Sequence, residues 1–534
     1  MQSSFQSIAY KDSSYFTPIV VDYLLHNEKL QPFYQHPPNW NGLAEAITSR
    51  KQSPVNRALL VEVLTQQYAS LTLTHRLSEN LALLTQENTF TVTTAHQPNI
   101  FTGPLYFIYK CMHAIRLAES LHQQFPDNHF VPVYYMGSED ADLEEIGQLT
   151  VGGMKRVWNT KQKGAVGRMK VDQALLDVIS EMEGQTGVLP FGKELSDLWR
   201  SCFTMGKTIS QAMLEMVHQL MGDKGLVVLI PDNAQLKSVF TPIVLQELFT
   251  QFSHNLVEAT NQQLAQQYKV QASGRNINLF YLIDDKRERI EMQGDQWVVP
   301  ALQLSFSKQE LEQECNLYPE RFSANVILRG LFQEMILPNV AFIGGGGELA
   351  YWLELKDIFT EVKVPFPVLL LRNSFVVVNK TQAEKWVATG FPIPALFKTP
   401  ESLIQQLAKE NAGDSLHLNA EIENLTKLYQ QIHNQASVVD KSLSDHVYAL
   451  KNSAIEKIQV LEKKMLRAEK RKYAESEYRI QQIRSQIFPN NQLQERVENM
   501  ALWYATFGKE WLEVIYQHSQ PIATDFRIII LGEV

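Results

Sequence analysis

Residues 90–95 read FTVTTA, residues 96–104 HQPNIFTGP, residues 105–125 LYFIYKCMHAIRLAESLHQQF and residues 130–136 FVPVYYM. The first and last are short runs of apolar, β-branched and aromatic residues, as expected of strands buried on both faces. The stretch between them has helical spacing, so the segment is a strand, loop, helix and strand of the kind that builds a parallel sheet. A third run, LVVLI at 226–230, reads the same way. The chain is therefore predicted to be an α/β protein with a parallel-sheet core. The loop at 96–104 then falls at the carboxyl end of a strand, where open α/β sheets bind ligands.

Working outward, residues 152–225 form a mixed, glycine-bearing stretch that ends in a helical pattern, LSDLWRSCFTMGKTISQAMLEMVHQLMGD, and read as an insertion or helical layer on the core. Residues 276–300 alternate and carry DD and GD turn dipeptides, so antiparallel hairpins are expected in a second inserted module reaching to about 320. The core resumes through NVAFIGGGGELAYW and VLLLRNSFVVV and extends to about residue 400. Beyond it, Leu418, Ile422, Leu425, Tyr429 and Ile432, and then Ala454, Ile458, Leu461, Met465 and Ala468, follow a 4-3-4-3 spacing. That is a coiled-coil seam. It predicts an antiparallel helical coiled coil over 415–488, with one uninterrupted helix from about 442 to 487, roughly 70 Å long at 1.5 Å per residue. The frame slips by one residue between Ala468 and Ile480. Pro489 ends the helix, and 489–534, closing with FRIIILGEV, is expected to return to the core.

At 534 residues with 45% hydrophobic and 20% charged residues, the chain has enough apolar material for more than one structural unit. A net charge of -9 argues against a protein whose task is gripping nucleic acid, though one small basic pocket is compatible with it. The beginning, MQSSFQSIAYKDSSYF, has no basic or apolar leader, and no run of 18 apolar residues follows, so a cytoplasmic protein without a membrane span is expected. Cys111, Cys202 and Cys315 are too few and too scattered for a disulfide framework or a metal site, and no metal centre is expected. HExxH, GxSxG and Walker A patterns do not occur.

Four constellations carry candidate chemistry. In the loop at 96–104, His96, Gln97, Thr102 and Gly103 offer side chains and backbone N–H groups to a phosphate or carboxylate, against the plainer reading of a capped helix start. At the end of the second strand stand Glu139, Asp140 and Asp142, able to hold an amine, orient hydroxyls, act as a base or meet Mg²⁺ carried by a nucleotide. Glu144 and Glu145, one step further, read as helix-dipole decoration. Gly344, Gly345, Gly346 and Gly347, followed by Glu348 and Tyr351, form a strand-to-helix turn whose four glycines imply close approach of a ligand to the backbone. Arg329 and Arg372, the latter followed by Asn373, lie in or beside apolar runs, where each must meet a carboxylate or an anionic ligand.

The segments TGPLYFIYK (102–110), VPVYYMGSEDADLEEI (131–146), NVILRGLFQEMILPNVAFIGGGGELAYW (325–352), PFPVLLLRNS (365–374), LEKKMLRAEKRK (461–472) and FPNNQLQERVEN (488–499) together resemble the bacillithiol-biosynthesis cysteine-adding (BshC) family. One departure is AHQ at 95–97, where family members often carry a glutamine-rich GQQ. The resemblance implies a Rossmann-like core with inserted connective modules and a coiled coil used for homodimerisation. It also implies a ligase that forms an amide by adding cysteine to glucosaminyl-malate, with ATP or another adenine nucleotide activating the carboxylate and Mg²⁺ admitted beside it. Two other readings stay open at this point: a class I synthetase-like nucleotide- or tRNA-binding protein, and a non-catalytic coiled-coil scaffold, which would have no need to gather the polar loops in one cleft.

Overall fold

The computed structural model describes residues 1–412 and 417–532. The first residues of the predicted coiled coil, 415 and 416, and the final two of the chain lie outside them. The chain divides into two compact units, Met1–Val377 with Gln492–Val534, and Val378–Asn491.

The first unit is built on five parallel strands: β1 (Thr89–His96), β2 (His129–Met136), β3 (Val227–Leu229), β4 (Asn339–Gly344) and β5 (Val368–Leu371). Their order across the sheet is β5-β4-β1-β2-β3, with Val92 of β1 in register with Pro132 and Ala341. All are parallel and buried, as their apolar runs require. Three of the four buried threonines of β1 are satisfied inside the sheet: Thr91 and Thr93 donate to Asn339 Oδ1 at 3.2 and 2.8 Å, and Thr94 to the Ile343 carbonyl at 2.9 Å, while the Thr89 hydroxyl has no partner among the described residues. Helix α1 (Tyr106–Gln124) follows β1, and its Ala114, Leu117 and Leu121 join Phe90, Val92, Val340 and Ile343 in the core. Helix α2 (Val326–Ile336) precedes β4, and helix α3 (Gly346–Trp352) follows it.

The two inserted stretches differ from their predicted outlines. The helical pattern at 195–223 is split into Gly192–Cys202 and Ile209–Met221, because Gly206 takes φ 80° and Thr208 caps the second helix by accepting from the Gln211 N–H. The hairpin module contains two small antiparallel sheets and closes on Phe322–Ala324, which pairs with Leu279–Ile283. The end of the chain returns to the first unit. Phe526–Leu531 pairs antiparallel with Ser3–Ile8, and Gln494 and Glu495 accept from the Val377 and Phe375 N–H groups at 3.0 and 3.1 Å.

The second unit is helical and begins at Val378, earlier than the expected change near 400, since Lys380–Val387 and Pro400–Ala412 belong with the long helices. Asn419–Val439 and Leu443–Lys470 form an antiparallel hairpin across a three-residue turn, with the seam residues Ile422, Leu425, Ala454, Ile458 and Met465 half-buried. The predicted single helix is interrupted. A 3-10 turn at Arg471–Tyr473 separates Leu443–Lys470 from Ala474–Ile487, at the place where the apolar frame slips. Among the described residues no helix is long and apolar enough to cross a membrane.

Candidate functional site: a cleft at the switch point of the sheet

Strand order reverses direction at β1 and β4, so the loops after these strands diverge and leave a crevice at their carboxyl ends. A cleft of about 690 Å³ lies there, lined from β1 by His96 and Gln97, from β2 by Gly137 and Asp140, and from β4 by Gly345, Gly346 and Gly347. The His96 ring packs against Tyr106 and Phe107, with centroids 5.2 and 5.6 Å away. Burial, followed by the charges of Lys110 and Arg372, pushes its pKa well below the usual histidine range, so the imidazole is neutral. Its Nε2 is buried and has no partner among the described residues. Lys110, one turn into α1, donates to the Ala95 carbonyl at 2.8 Å and pairs with Glu348. Burial lowers its pKa even though Glu348 opposes the shift.

The far half of the same loop turns away. Phe101, Thr102 and Gly103 all take positive φ, Phe101 packs on Phe203 at 4.6 Å, and Asn499 Nδ2 donates to the Phe101 carbonyl at 2.8 Å. Thr102 and Gly103 are therefore buried turn residues rather than part of the cleft wall, because only this tight reversal delivers the chain into α1.

Of the acidic candidates, only Asp140 lines the cleft. Arg329 NH1 donates to Asp140 Oδ2 at 3.2 Å. Burial pushes the Asp140 carboxyl up, but Arg329 and Arg287 outweigh it and hold the group below the ordinary carboxylate range. Glu139 points the opposite way, pairing with buried Lys237 beside a closed void of about 10 Å³. The Lys237 charge is shared with Asp232 at 3.4 Å, itself held by Arg168 at 2.6 Å, so Glu139 belongs to a structural charge network. Asp142 caps the short helix Leu143–Ile146 by accepting from the Glu145 N–H at 3.2 Å, and is exposed. Glu145, expected to be decoration, lines the cleft and accepts from Gln97 Nε2 at 3.4 Å. Burial, helped by Asp142 and Asp140, raises its pKa.

The glycine turn is only partly what the four glycines imply. None of them has positive φ. A Cβ at Gly344 would meet Phe342 at 2.9 Å, so this glycine is small for packing, whereas one at Gly346 would meet Val20 only at an ordinary contact distance of 3.4 Å and one at Gly347 would face open space. Gly344 is outside the cleft. Glu348 Oε2 accepts from the Gly345 N–H at 2.8 Å while holding Lys110, which fixes the turn. Tyr351 lines the cleft beside Arg329, and burial raises its pKa. Arg372 reaches the cleft, its guanidinium 5.2 Å from the Tyr106 ring, but its charge is met by Glu495 at 2.7 Å. Asn373 is turned away, clasping Gln520 through bonds of 2.9 and 3.0 Å.

Four of the cleft's cations escaped the sequence reading. Lys110 was signalled by a lone cation in the apolar run YFIYKCMHAI, but Arg275, Arg287 and Arg496 come from the inserted module and the C-terminal return, where nothing local marks them. Among the described residues no group of three or more His, Cys, Asp or Glu side chains is placed to hold a metal ion.

Fold and cleft together define a Rossmann-like α/β protein with a polar cleft at its switch point and a helical coiled-coil unit. The family described as bacillithiol biosynthesis BshC matches in two parts, its N-terminal Rossmann-like domain over residues 3–373 and its C-terminal coiled-coil domain over residues 375–531. The chain belongs to the bacillithiol biosynthesis BshC family. It is 36% identical over 526 residues to a protein of Flavobacterium johnsoniae named "Putative cysteine ligase BshC", covering 98% of this chain and 99% of that one. A protein of the same name from Christiangramia forsetii is 36% identical over 536 residues, with the same coverage of 98% and 99%. Another from Salinibacter ruber is 26% identical and covers 93% of each chain.

Proposed function

We propose that this protein is a cytoplasmic ligase that joins the carboxylate of L-cysteine to the amine of glucosaminyl-malate, the last step of bacillithiol biosynthesis. The observation that carries this is the gathering of cations, carboxylates and a neutral histidine into one cleft at the switch point of a member of the family. A scaffold has no need of such convergence.

Joining a carboxylate to an amine is uphill in water, so the cysteine carboxylate is activated by ATP or a related adenine nucleotide. Mg²⁺ travels with the nucleotide phosphates rather than in a protein cage. The amine attacks the activated carbonyl carbon, the C–N bond forms, the phosphate-bearing group leaves, and the amine's proton passes to the enzyme. Glu145, exposed on the cleft wall with its pKa raised by burial, is the group suited to take it. Gly346 and Gly347 present backbone to an anion, and Lys110 helps to offset its charge. The protein is a homodimer through its helical unit, a reading supported by Leu450, Val460 and Leu461, which are 46%, 50% and 50% exposed on the long helix.

The test is the thiol profile of the source cell with the gene deleted. Loss of bacillithiol with accumulation of glucosaminyl-malate is expected, and undiminished bacillithiol would overturn the assignment. With purified protein, AMP and pyrophosphate among the products indicate an acyl-adenylate, whereas ADP and phosphate indicate an acyl-phosphate.

A further inference from the structure

The cleft collects six cationic side chains against three carboxylates, although the whole protein carries a net charge of -9. Three of the cations are matched by carboxylates: Lys110 by Glu348, Arg329 by Asp140 and Arg372 by Glu495. Arg287 is not. It stands on the strand Lys286–Arg289 of the inserted hairpin, and no carboxylate of the described residues reaches ion-pair distance. Its Nε donates to Ser323 Oγ at 3.1 Å and its NH2 to the Ala324 carbonyl at 3.3 Å, while its plane lies 3.9 Å from the centroid of Phe280. These contacts fix the guanidinium and leave NH1 uncommitted among the described residues, and NH1 is not sealed from solvent. Burial, then repulsion from Arg329, pushes its pKa down to about 10. Arg329 is therefore close enough to be felt. It spends one nitrogen on Asp140, and a Cβ at Gly137 would crowd that nitrogen at 3.3 Å, so the missing side chain there keeps room for the group.

Six cations set against Asp140, Glu145, Glu348 and the Glu495 that meets Arg372 leave two positive charges in the cleft, which a dianion balances, and Arg287 and Arg329, two guanidinium forks with only Asp140 between them, offer it a seat. We propose that Arg287 and Arg329 form a dianion subsite that binds the two malate carboxylates of the acceptor, making the inserted hairpin the element that selects an acidic aglycone. This rests on the ligase reading for the identity of the acceptor. A rigid planar fork suits carboxylates and phosphates alike, so the same chemistry could instead receive a nucleotide phosphate, and the experiment separates the two sources.

Steady-state constants are to be measured for wild type, Arg287→Gln and Arg287→Lys with glucosaminyl-malate, with methyl glucosaminide, which lacks the malate, and with varied cysteine and ATP. Losing a charge-assisted pair of bonds should raise the KM for glucosaminyl-malate roughly 10- to 100-fold in Arg287→Gln, less in Arg287→Lys. The constants for cysteine, ATP and methyl glucosaminide should stay within about twofold, as Arg287 should not meet those molecules. A rise confined to ATP would assign the subsite to phosphate and overturn the proposal, as would unchanged constants or an equal loss with both acceptors. If wild type makes no product, the ligase reading fails by itself. The subsite is then judged by calorimetric titration with glucosaminyl-malate and with inorganic phosphate: binding of the former that requires Arg287 supports it, and binding indifferent to Arg287, or none, rejects it.

Discussion

Arg372→Ala removes one half of an ion pair that is 3% and 0% exposed, and its main effect should be on stability. Arg372 NH2 donates to Glu495 Oε1 at 2.7 Å, its NH1 to the Asn373 carbonyl at 3.0 Å and Ser374 Oγ at 3.2 Å, and Glu495 Oε2 accepts from the Phe375 N–H at 3.1 Å. The pair fastens the end of β5 to the returning C-terminal segment. Alanine leaves the Glu495 carboxylate buried with a single N–H partner, a situation that typically costs about 3–5 kcal/mol. The double variant Arg372→Met with Glu495→Gln removes both charges while keeping an acceptor for Phe375, and should recover most of that loss. Urea unfolding followed by tryptophan fluorescence measures both, read at the transition of the first unit. Activity is assayed on the same samples below the transition. An Arg372→Ala protein as stable as wild type but inactive would refute this reasoning and make Arg372 a substrate-binding group first. Equal destabilisation in the single and double variants would show that packing, not the stranded charge, sets the cost.

Three further outcomes are expected. Lys470→Ala should change stability by under about 1 kcal/mol and activity not at all, because Lys470 meets only the exposed Glu401 at 3.7 Å; a larger effect in the same urea assay would reject that. Leu461→Glu places a charge on an exposed apolar position of the long helix and should turn a dimer into a monomer in sedimentation equilibrium at micromolar concentration, whereas a wild-type monomer would reject the dimer. Glu354 accepts from the Gln271 and Ala272 N–H groups at 2.7 and 3.0 Å, holding a loop of the cleft, and burial raises its pKa from 4.5 to about 7. Between those values the folded protein keeps a proton that the unfolded chain has lost, so stability falls as pH rises through this window, by at most about 3 kcal/mol. Glu354→Gln should flatten the pH profile over that range, and an unchanged profile would assign the dependence elsewhere.

The parallel sheet was legible because its strands are short apolar runs separated by helical spacing, a pattern that few other arrangements can bury. The hairpin of long helices was legible for the same reason, through its seam. The slip between Ala468 and Ile480 also held more than the single predicted helix allowed it: a straight helix cannot keep both apolar frames on one face, and the 3-10 turn at Arg471–Tyr473 absorbs the difference. The boundary at Val378 was hidden, since FVVV is an apolar strand whichever unit owns its end.

Within the site, sequence located the loops but not the direction of their side chains. Glu139 and Asp140 are neighbours of the same type at the same strand end, and one pairs with Lys237 in the interior while the other meets Arg329 in the cleft. Which goes where depends on a turn stabilised by partners 98 and 189 residues away in the chain. The arginines show the other half of the problem. That Arg372 in an apolar run must meet a negative charge follows from desolvation alone, but whether that charge belongs to a ligand or to the protein is decided 123 residues later, by a glutamate in a segment that reads as an ordinary helix end. Arg287 reverses the case. Its sequence context, DDKRER, is that of a solvated hairpin, and only the fold reveals that it is a cleft cation without a carboxylate partner among the described residues and near another guanidinium.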